Sequence, residues 1–263
     1  MPRQETKEYR IFPESKLAHE ILDGLEGIEI GPAAHNPFGL KTRTVGLSAE
    51  NDALDYEYYE QMQRETCGAV ATIDLAADAA SLPLADNSVD FVLHSHVWEH
   101  LPNPLHALDE WVRVVRSGGF IFAIVPKRDA DPNDRSRPVT PLAEWEEHYA
   151  RKTTYEDRIA EMKGPARSHY TVFSPALLHD VGDWFNRTHR AVRLERVAYQ
   201  ETDDKVATAT PSYGECAKSS LPPNDSEWRE GGRLRFAARS GANRVCAHGH
   251  RRFRLVRNGA CRR

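Results

Sequence analysis

Apolar positions along the chain follow two rhythms in alternation, one helical and one of short continuous runs. Residues 15–24 (SKLAHEILDG) put Leu17, Ile21 and Leu22 on one helical face, with Ser15 as N-cap and Gly24 as stop. Gly27 to Gly31 (GIEIG) reads as a strand closed by glycine, and Thr42 to Leu47 as a second strand. A helix over Ala53 to Glu65 follows, then a third strand over Ala69 to Leu75. The turn signal Asp86-Asn87-Ser88 introduces a fourth strand, Val89 to Leu93. Pro104 is a good first residue for a helix carrying Leu105, Leu108, Trp111, Val112 and Val115, which is expected to stop at Ser117-Gly118-Gly119. The strand FIFAIVP comes next, and Phe120 to Val125 is the longest apolar run of the chain. Near-continuous apolar strands alternating with helices predict an α/β fold whose parallel sheet is covered on both faces. Such sheets bind ligands at the carboxyl ends of their strands, where the strand order switches. Function is therefore expected at Gly31, around Ser48, near Asp78 and over His94 to His100.

Residues 127–172 interrupt that rhythm with a charged loop and two polar helical stretches, 142–150 and 155–163. A charged insertion at a strand's carboxyl end reads as a helical lid. Ser174-Pro175 opens another amphipathic helix through Trp184, and Arg190 to Tyr199 reads as a sixth strand. No internal repeat is visible.

Length and charge sharpen the picture. At roughly 150 residues per domain, the chain of 263 residues makes one sizeable domain with additions. Mean hydropathy is −0.62 and no apolar run reaches membrane-spanning length, so no membrane association is expected. The N-terminal segment lacks the apolar core of a secretory signal. Cysteines at 67, 216, 246 and 261 fit no paired spacing, which suits a reducing cytoplasm. The net charge of −4 conceals an asymmetry: Ser226 to Arg263 holds eleven Arg against two acids, leaving −13 on the rest. An acidic body without interleaved aromatic and basic residues is not expected to bind nucleic acid.

The block Asp78 to Gly119, DAASLPLADNSVDFVLHSHVWEHLPNPLHALDEWVRVVRSGG, resembles the class I S-adenosylmethionine-dependent methyltransferases, specifically the ubiquinone/menaquinone group. Asp78, Leu82, Pro83, Asp86, Ser88, Asp90, Glu99, His100, Leu101, Pro104, Arg113, Val114, Gly118 and Gly119 fall on that pattern, and the order of elements matches over about 15–205. The resemblance implies a doubly wound, mostly parallel seven-stranded sheet of Rossmann-like kind with the lid inserted, the catalytic domain spanning 1–206. It implies S-adenosylmethionine as cofactor and a small-molecule acceptor methylated by in-line transfer, with a homodimer left open. It further implies that Glu29 accepts from the cofactor's ammonium while Gly31 and Ala33 bring backbone close to its amino-acid portion. Asp78 would accept from the adenine amino group, beside the backbone of Ala79, and His94 and Ser95 would flank the methionine portion. Two departures stand out: the expected G-x-G-x-G loop is Gly31-Pro32-Ala33-Ala34-His35, and the ribose-binding acid is replaced by Ser48, with Glu50, Asp52 or Asp55 as alternatives. A catalytically inactive binding or regulatory protein on the same fold is the competing reading, and a dinucleotide oxidoreductase lacks its required glycine pattern.

His169 and His100 are the candidate bases, a histidine at either position competing with a surface or structural role. Trp98, Trp111 and Trp184 read as core residues or pocket walls. His96 to His100 matches H-x-x-E-H, but a strand end before Pro102 and Pro104 does not offer the helix that zinc-peptidase motif needs. Cys246, His248 and His250 form one cluster without a partner pair, so no metal site is expected. Residues 207–263 form an atypical Arg-rich tail where an apolar closing strand is due. Read one base earlier in GC-rich codons, Ala-Thr-Ala-Thr-Pro-Ser-Tyr-Gly can give Gly-Asn-Gly-Tyr-Ala-Val-Val-Arg, so the tail is hypothesised to be frame-shifted or disordered. If it is in frame, Arg252 to Val256 is the alternative closing strand.

Overall fold

The computed structural model describes residues 9–48, 53–132, 134–162, 169–189, 191–200, 205, 233–237 and 256–257. The chain runs α1 (Lys16–Leu22), β1 (Gly27–Ile30), β2 (Thr42–Gly46), α2 (Ala53–Cys67), β3 (Leu75–Ala76) and β4 (Val89–Ser95). It continues with α3 (Pro104–Val114), β5 (Val115–Ile124), α4 (Leu142–Arg151), α5 (Tyr155–Met162) and α6 (Pro175–Thr188), then β6 (Val192–Arg193), β7 (Ala198–Gln200), β8 (Arg233–Ala237) and β9 (Val256–Arg257). One seven-stranded sheet has the order β3-β2-β1-β4-β5-β8-β7. Its first five strands are parallel, and β8 lies antiparallel between β5 and β7. The α/β class and the doubly wound sheet are thus as the sequence predicts. The strand order switches between β1 and β4, which brings Gly31 and Ser95 to the same crevice.

Local chemistry explains most boundaries. Ser15, Asn103 and Ser174 each accept a backbone N–H from the first turn of α1, α3 and α6, and Pro104 and Pro175 take the first helical positions. α3 buries Leu105, Leu108, Trp111 and Val112, the face its spacing predicts.

Four boundaries differ from expectation. α3 ends at Val114, short of the glycines, because Asn87 and Ser88 N–H groups take the carbonyls of Arg113 and Val114 and Val115 enters β5 at once. The two glycines instead serve an irregularity inside β5: Gly118 has φ +89°, and a Cβ at Gly119 would meet the Asp90 carbonyl at 2.1 Å. The third strand shrinks to Leu75–Ala76, an edge strand paired on one side alone. The expected strand Arg190 to Tyr199 is split into β6 and β7, because the Asn186 amide bonds both the N–H and the carbonyl of Leu194 at 2.7 and 2.9 Å. Beside β5 stands Arg233–Ala237, not Arg252 to Val256, with Arg and apolar residues alternating at the strand period; Val256–Arg257 pairs with β6. The remainder of 207–263, and with it the reading-frame expectation, lies outside the described residues.

The lid is anchored to the body. Its ends meet at a parallel bridge between Lys127 and Phe173. From α4, Trp145 is buried against Trp98 and Phe173, and the Tyr149 hydroxyl donates to Asp109 of α3 at 2.6 Å. Trp98, Trp111 and Trp184 are core residues, as expected. No helix among the described residues is long and apolar enough to cross a membrane.

Candidate active site

Two groups of candidate residues follow the carboxyl ends of β1 and β4, and they are treated as two walls. The first is the end of β1 and the turn after it. Gly31 adopts φ +65°, a conformation glycine takes freely. A Cβ there would meet Val97 at 2.6 Å, so the neighbour that demands glycine in this state is a protein side chain. The turn that replaces the expected glycine loop is tied by side chains: Gln63 Oε1 accepts from Ala34 and Ala71, Ala33 O accepts from Asn36, and the Asn36 amide donates to Ser95 Oγ at 3.2 Å. Ser95 thus joins β4 to the glycine turn.

Glu29, two residues before the turn, is half-buried. Burial pushes its carboxyl up to about 7, against the opposing pull of the Lys205 charge. Lys205 itself is buried, donating to Pro37 O and lying over the Phe38 ring. Ser48 is half-buried at the end of β2, while Glu50 and Asp52 lie outside the described residues, as does the side chain of Asp55. Asp78 is exposed and uses Oδ1 to accept from Ala80 N–H at 2.6 Å. Ala79 is buried and its carbonyl takes the Trp111 indole N–H at 2.8 Å. His94 is brought elsewhere. It is fully buried, neither ring nitrogen is hydrogen-bonded among the described residues, and its ring lies 4.5 Å from Trp111 and 5.8 Å from Trp98. Burial drives its pKa down to about 3, so the imidazole is neutral and belongs to the core. Beside a cofactor it leaves only its main chain.

The second wall is the lid's return. Tyr170 and Thr171 N–H groups both donate to the Glu99 carbonyl, at 2.7 and 3.1 Å, which draws His169 against the short helical turn Trp98–His100. The His100 and His169 rings meet edge to face at 4.8 Å. His169 Nδ1 lies 2.6 Å from Asp134 Oδ2, and buried Asp134 is held in turn by Arg137 at 2.7 Å. The Glu99 carboxylate is fully buried, with Oε1 at 3.1 Å from His96 Nδ1. Burial alone would raise its pKa, but the His96 contact and the charges of His96 and His100 outweigh it and hold the group below its ordinary value. Both candidate bases therefore share one cluster. Sequence reasoning missed Asn36, Gln63, Lys205 and Asp134; of these, Asp134 alone carried a signal, the three-residue spacing to Arg137 on a loop.

A family model described as a methyltransferase domain matches residues 38–123, from just after the glycine turn to near the end of β5. Over these residues the chain is similar to the methyltransferase domain family. Among curated relatives of this family, an uncharacterised methyltransferase of Mycobacterium tuberculosis is 31% identical over 167 residues, 57% of this chain and 66% of its own. An uncharacterised methyltransferase of Mycobacteroides abscessus is 52% identical over 49 residues, 19% of each chain. The match thus spans less than two thirds of these methyltransferases' own lengths. Among solved structures, a methyltransferase of Thermotoga maritima described as a possible histamine N-methyltransferase is 20% identical, with 84% of this chain and 85% of that one covered and a TM-score of 0.44.

Proposed function

We propose that this protein transfers the methyl group of S-adenosylmethionine to a small-molecule acceptor. The observation that carries the reading is the half-buried carboxylate of Glu29 beside the Gly31 turn, directly across the strand-order switch from Ser95. A carboxylate held there at a raised pKa is complementary to a ligand ammonium, which fits the amino-acid portion of the cofactor. Glu29 would accept from that ammonium, the 31–36 turn would present main chain to it, and Ser48 and Asp78 would reach the ribose and the adenine amino group.

When bound, the cofactor supplies an electrophilic methyl carbon on a sulfonium centre. The chain's own task is then positioning, and holding the acceptor in line within about 3–3.5 Å supplies most of the acceleration. His169 is suited to receive a proton from a hydroxyl or ammonium acceptor: Asp134 occupies Nδ1 and leaves Nε2 for the substrate. His100 packs against it and fixes the ring.

Calorimetric titration of S-adenosylmethionine and S-adenosylhomocysteine into the full chain tests this reading. Micromolar binding of both is expected. A folded protein that binds neither would overturn the proposal, and binding without turnover across an acceptor panel would replace the enzyme by a cofactor-binding regulator.

A further inference from the structure

We propose that Glu99, His100 and His169 together hold a divalent transition-metal ion. One oxygen of Glu99 and one ring nitrogen from each histidine lie within 4.8 Å of one another. A tetrahedral site with bonds of about 2.0–2.2 Å brings its donors to about 3.3 Å. Closing the set asks its donors to approach one another by up to about 1.5 Å.

Three features distinguish this cluster from a chance meeting of polar groups. Glu99 is a fully buried carboxylate with one ionic contact, Oε1 to His96 Nδ1 at 3.1 Å, and among the described residues its Oε2 has no hydrogen-bond partner that a cation would displace. His169 is already oriented as metal-bound histidines are: Asp134 Oδ2 takes Nδ1, fixing the ring and leaving Nε2 to ligate, and Arg137 holds the carboxylate in turn. The ligands also arrive on two separate segments, locked together by the Tyr170 and Thr171 N–H bonds to the Glu99 carbonyl. Two imidazoles and a carboxylate suit borderline ions such as zinc or iron(II) better than magnesium or calcium.

The set is not the one that H-x-x-E-H would supply. His96 has φ +56° and is exposed, and it contacts Glu99 rather than joining the group. The third ligand comes from the lid, 69 positions after His100 in sequence, where no local spacing reveals it. Three protein ligands leave positions open for an exchangeable partner, the pattern of a catalytic rather than a structural ion. Resting on the proposed methyl transfer, the open positions would take an acceptor that offers oxygen or nitrogen to the ion, lowering its pKa and fixing its direction of attack. His169 would then serve as a ligand and not as a base.

The test uses the full chain stripped with chelator, with cobalt(II) followed by its visible absorption and zinc(II) by calorimetry. One equivalent of either ion per chain is expected. H169A should lower affinity at least a hundredfold, and D134N about tenfold through loss of ring orientation. Because the tail offers Cys246, His248 and His250, the stoichiometry is repeated on C246S/H248A/H250A, which should bind undiminished. Substoichiometric binding, unchanged affinity in H169A, or loss of the ion in the tail variant would each overturn the proposal. Titration of S-adenosylhomocysteine into H169A separates the two readings, since cofactor binding on the β1 wall should survive there.

Discussion

The two walls of the crevice are built from different materials. On the β1 wall a glycine at positive φ and a turn closed by its own carbonyl are braced by the neutral side chains of Gln63 and Asn36, beside one carboxylate. On the lid wall four ionisable side chains, Glu99, His100, His169 and Asp134, converge from three segments. The contrast explains why the β1 wall departs from the glycine pattern of the methyltransferases it resembles and still forms a turn. Gln63 and Asn36 supply by side-chain hydrogen bonds the shape that glycines would otherwise permit. A wall made of specific side chains has no such latitude.

Trp98 is where the lid wall is fastened, so its removal is the largest way to strain the comparison. It stacks against Trp145 and Phe173 on one side and His94 and Trp111 on the other, with its indole N–H on the Pro104 carbonyl. Trp98→Ala should lower stability by about 3–5 kcal/mol, from lost burial plus a cavity. Gln63→Ala, which strips the β1 wall of two hydrogen bonds, should cost about 1–3 kcal/mol. Urea denaturation of both variants measures the difference. Equal losses would mean that the turn is as dependent on one side chain as the lid is.

Smaller in size is an effect of the buried His94 ring. His94 titrates near 3 in the folded chain and near 6.5 when unfolded. Between those values the unfolded state binds more protons, so stability is complete above about 6.5 and declines as the pH falls toward 3. His94→Leu removes this acid penalty along with two unsatisfied nitrogens. Its unfolding free energy in urea should match the wild type within about 1 kcal/mol at pH 7, and exceed it at pH 5. A variant whose deficit or gain is identical at both values would show that His94 is not the group that carries the acid sensitivity.

What could be read in the sequence follows the same division. The α/β class, the helices at Pro104 and Ser174 and the crevice at the strand ends were legible, because periodicity and caps are local signals. Many residues of the Asp78 to Gly119 pattern prove to be scaffold. Asp86 pairs with Arg113 at 2.8 Å, Arg113 also donates to the Leu82 and Leu84 carbonyls, and Asp90 accepts from Glu26 N–H. The pattern therefore reported the fold faithfully and the chemistry only indirectly. His94 and Ser95 were both read as flanking the methionine portion, but successive strand residues point to opposite faces and the His94 ring takes the core side. His100 and His169 were each named as a candidate base, but their meeting with Glu99 and Asp134 was hidden, because it depends on a loop closure of dozens of residues that leaves no spacing to read.

The subtlest expected effect concerns Glu29, whose titration runs opposite to that of His94. Its folded pKa of about 7 lies above the ordinary carboxylate value of 4.5, so without ligand the folded state binds the extra proton. Stability from this source is complete below 4.5 and is lost as the pH rises through 7. A ligand ammonium reverses the preference, since it favours the ionised carboxylate. Affinity for S-adenosylhomocysteine should therefore rise by about tenfold between pH 5.5 and 7.0, a window in which an α-amino group, with pKa near 7.7–8.0, remains charged. Glu29→Gln should bind more weakly at pH 7.0 and show little change across that window. If the substituted protein kept the wild-type slope, the ammonium would be recognised elsewhere, and the β1 wall would owe its affinity to backbone alone.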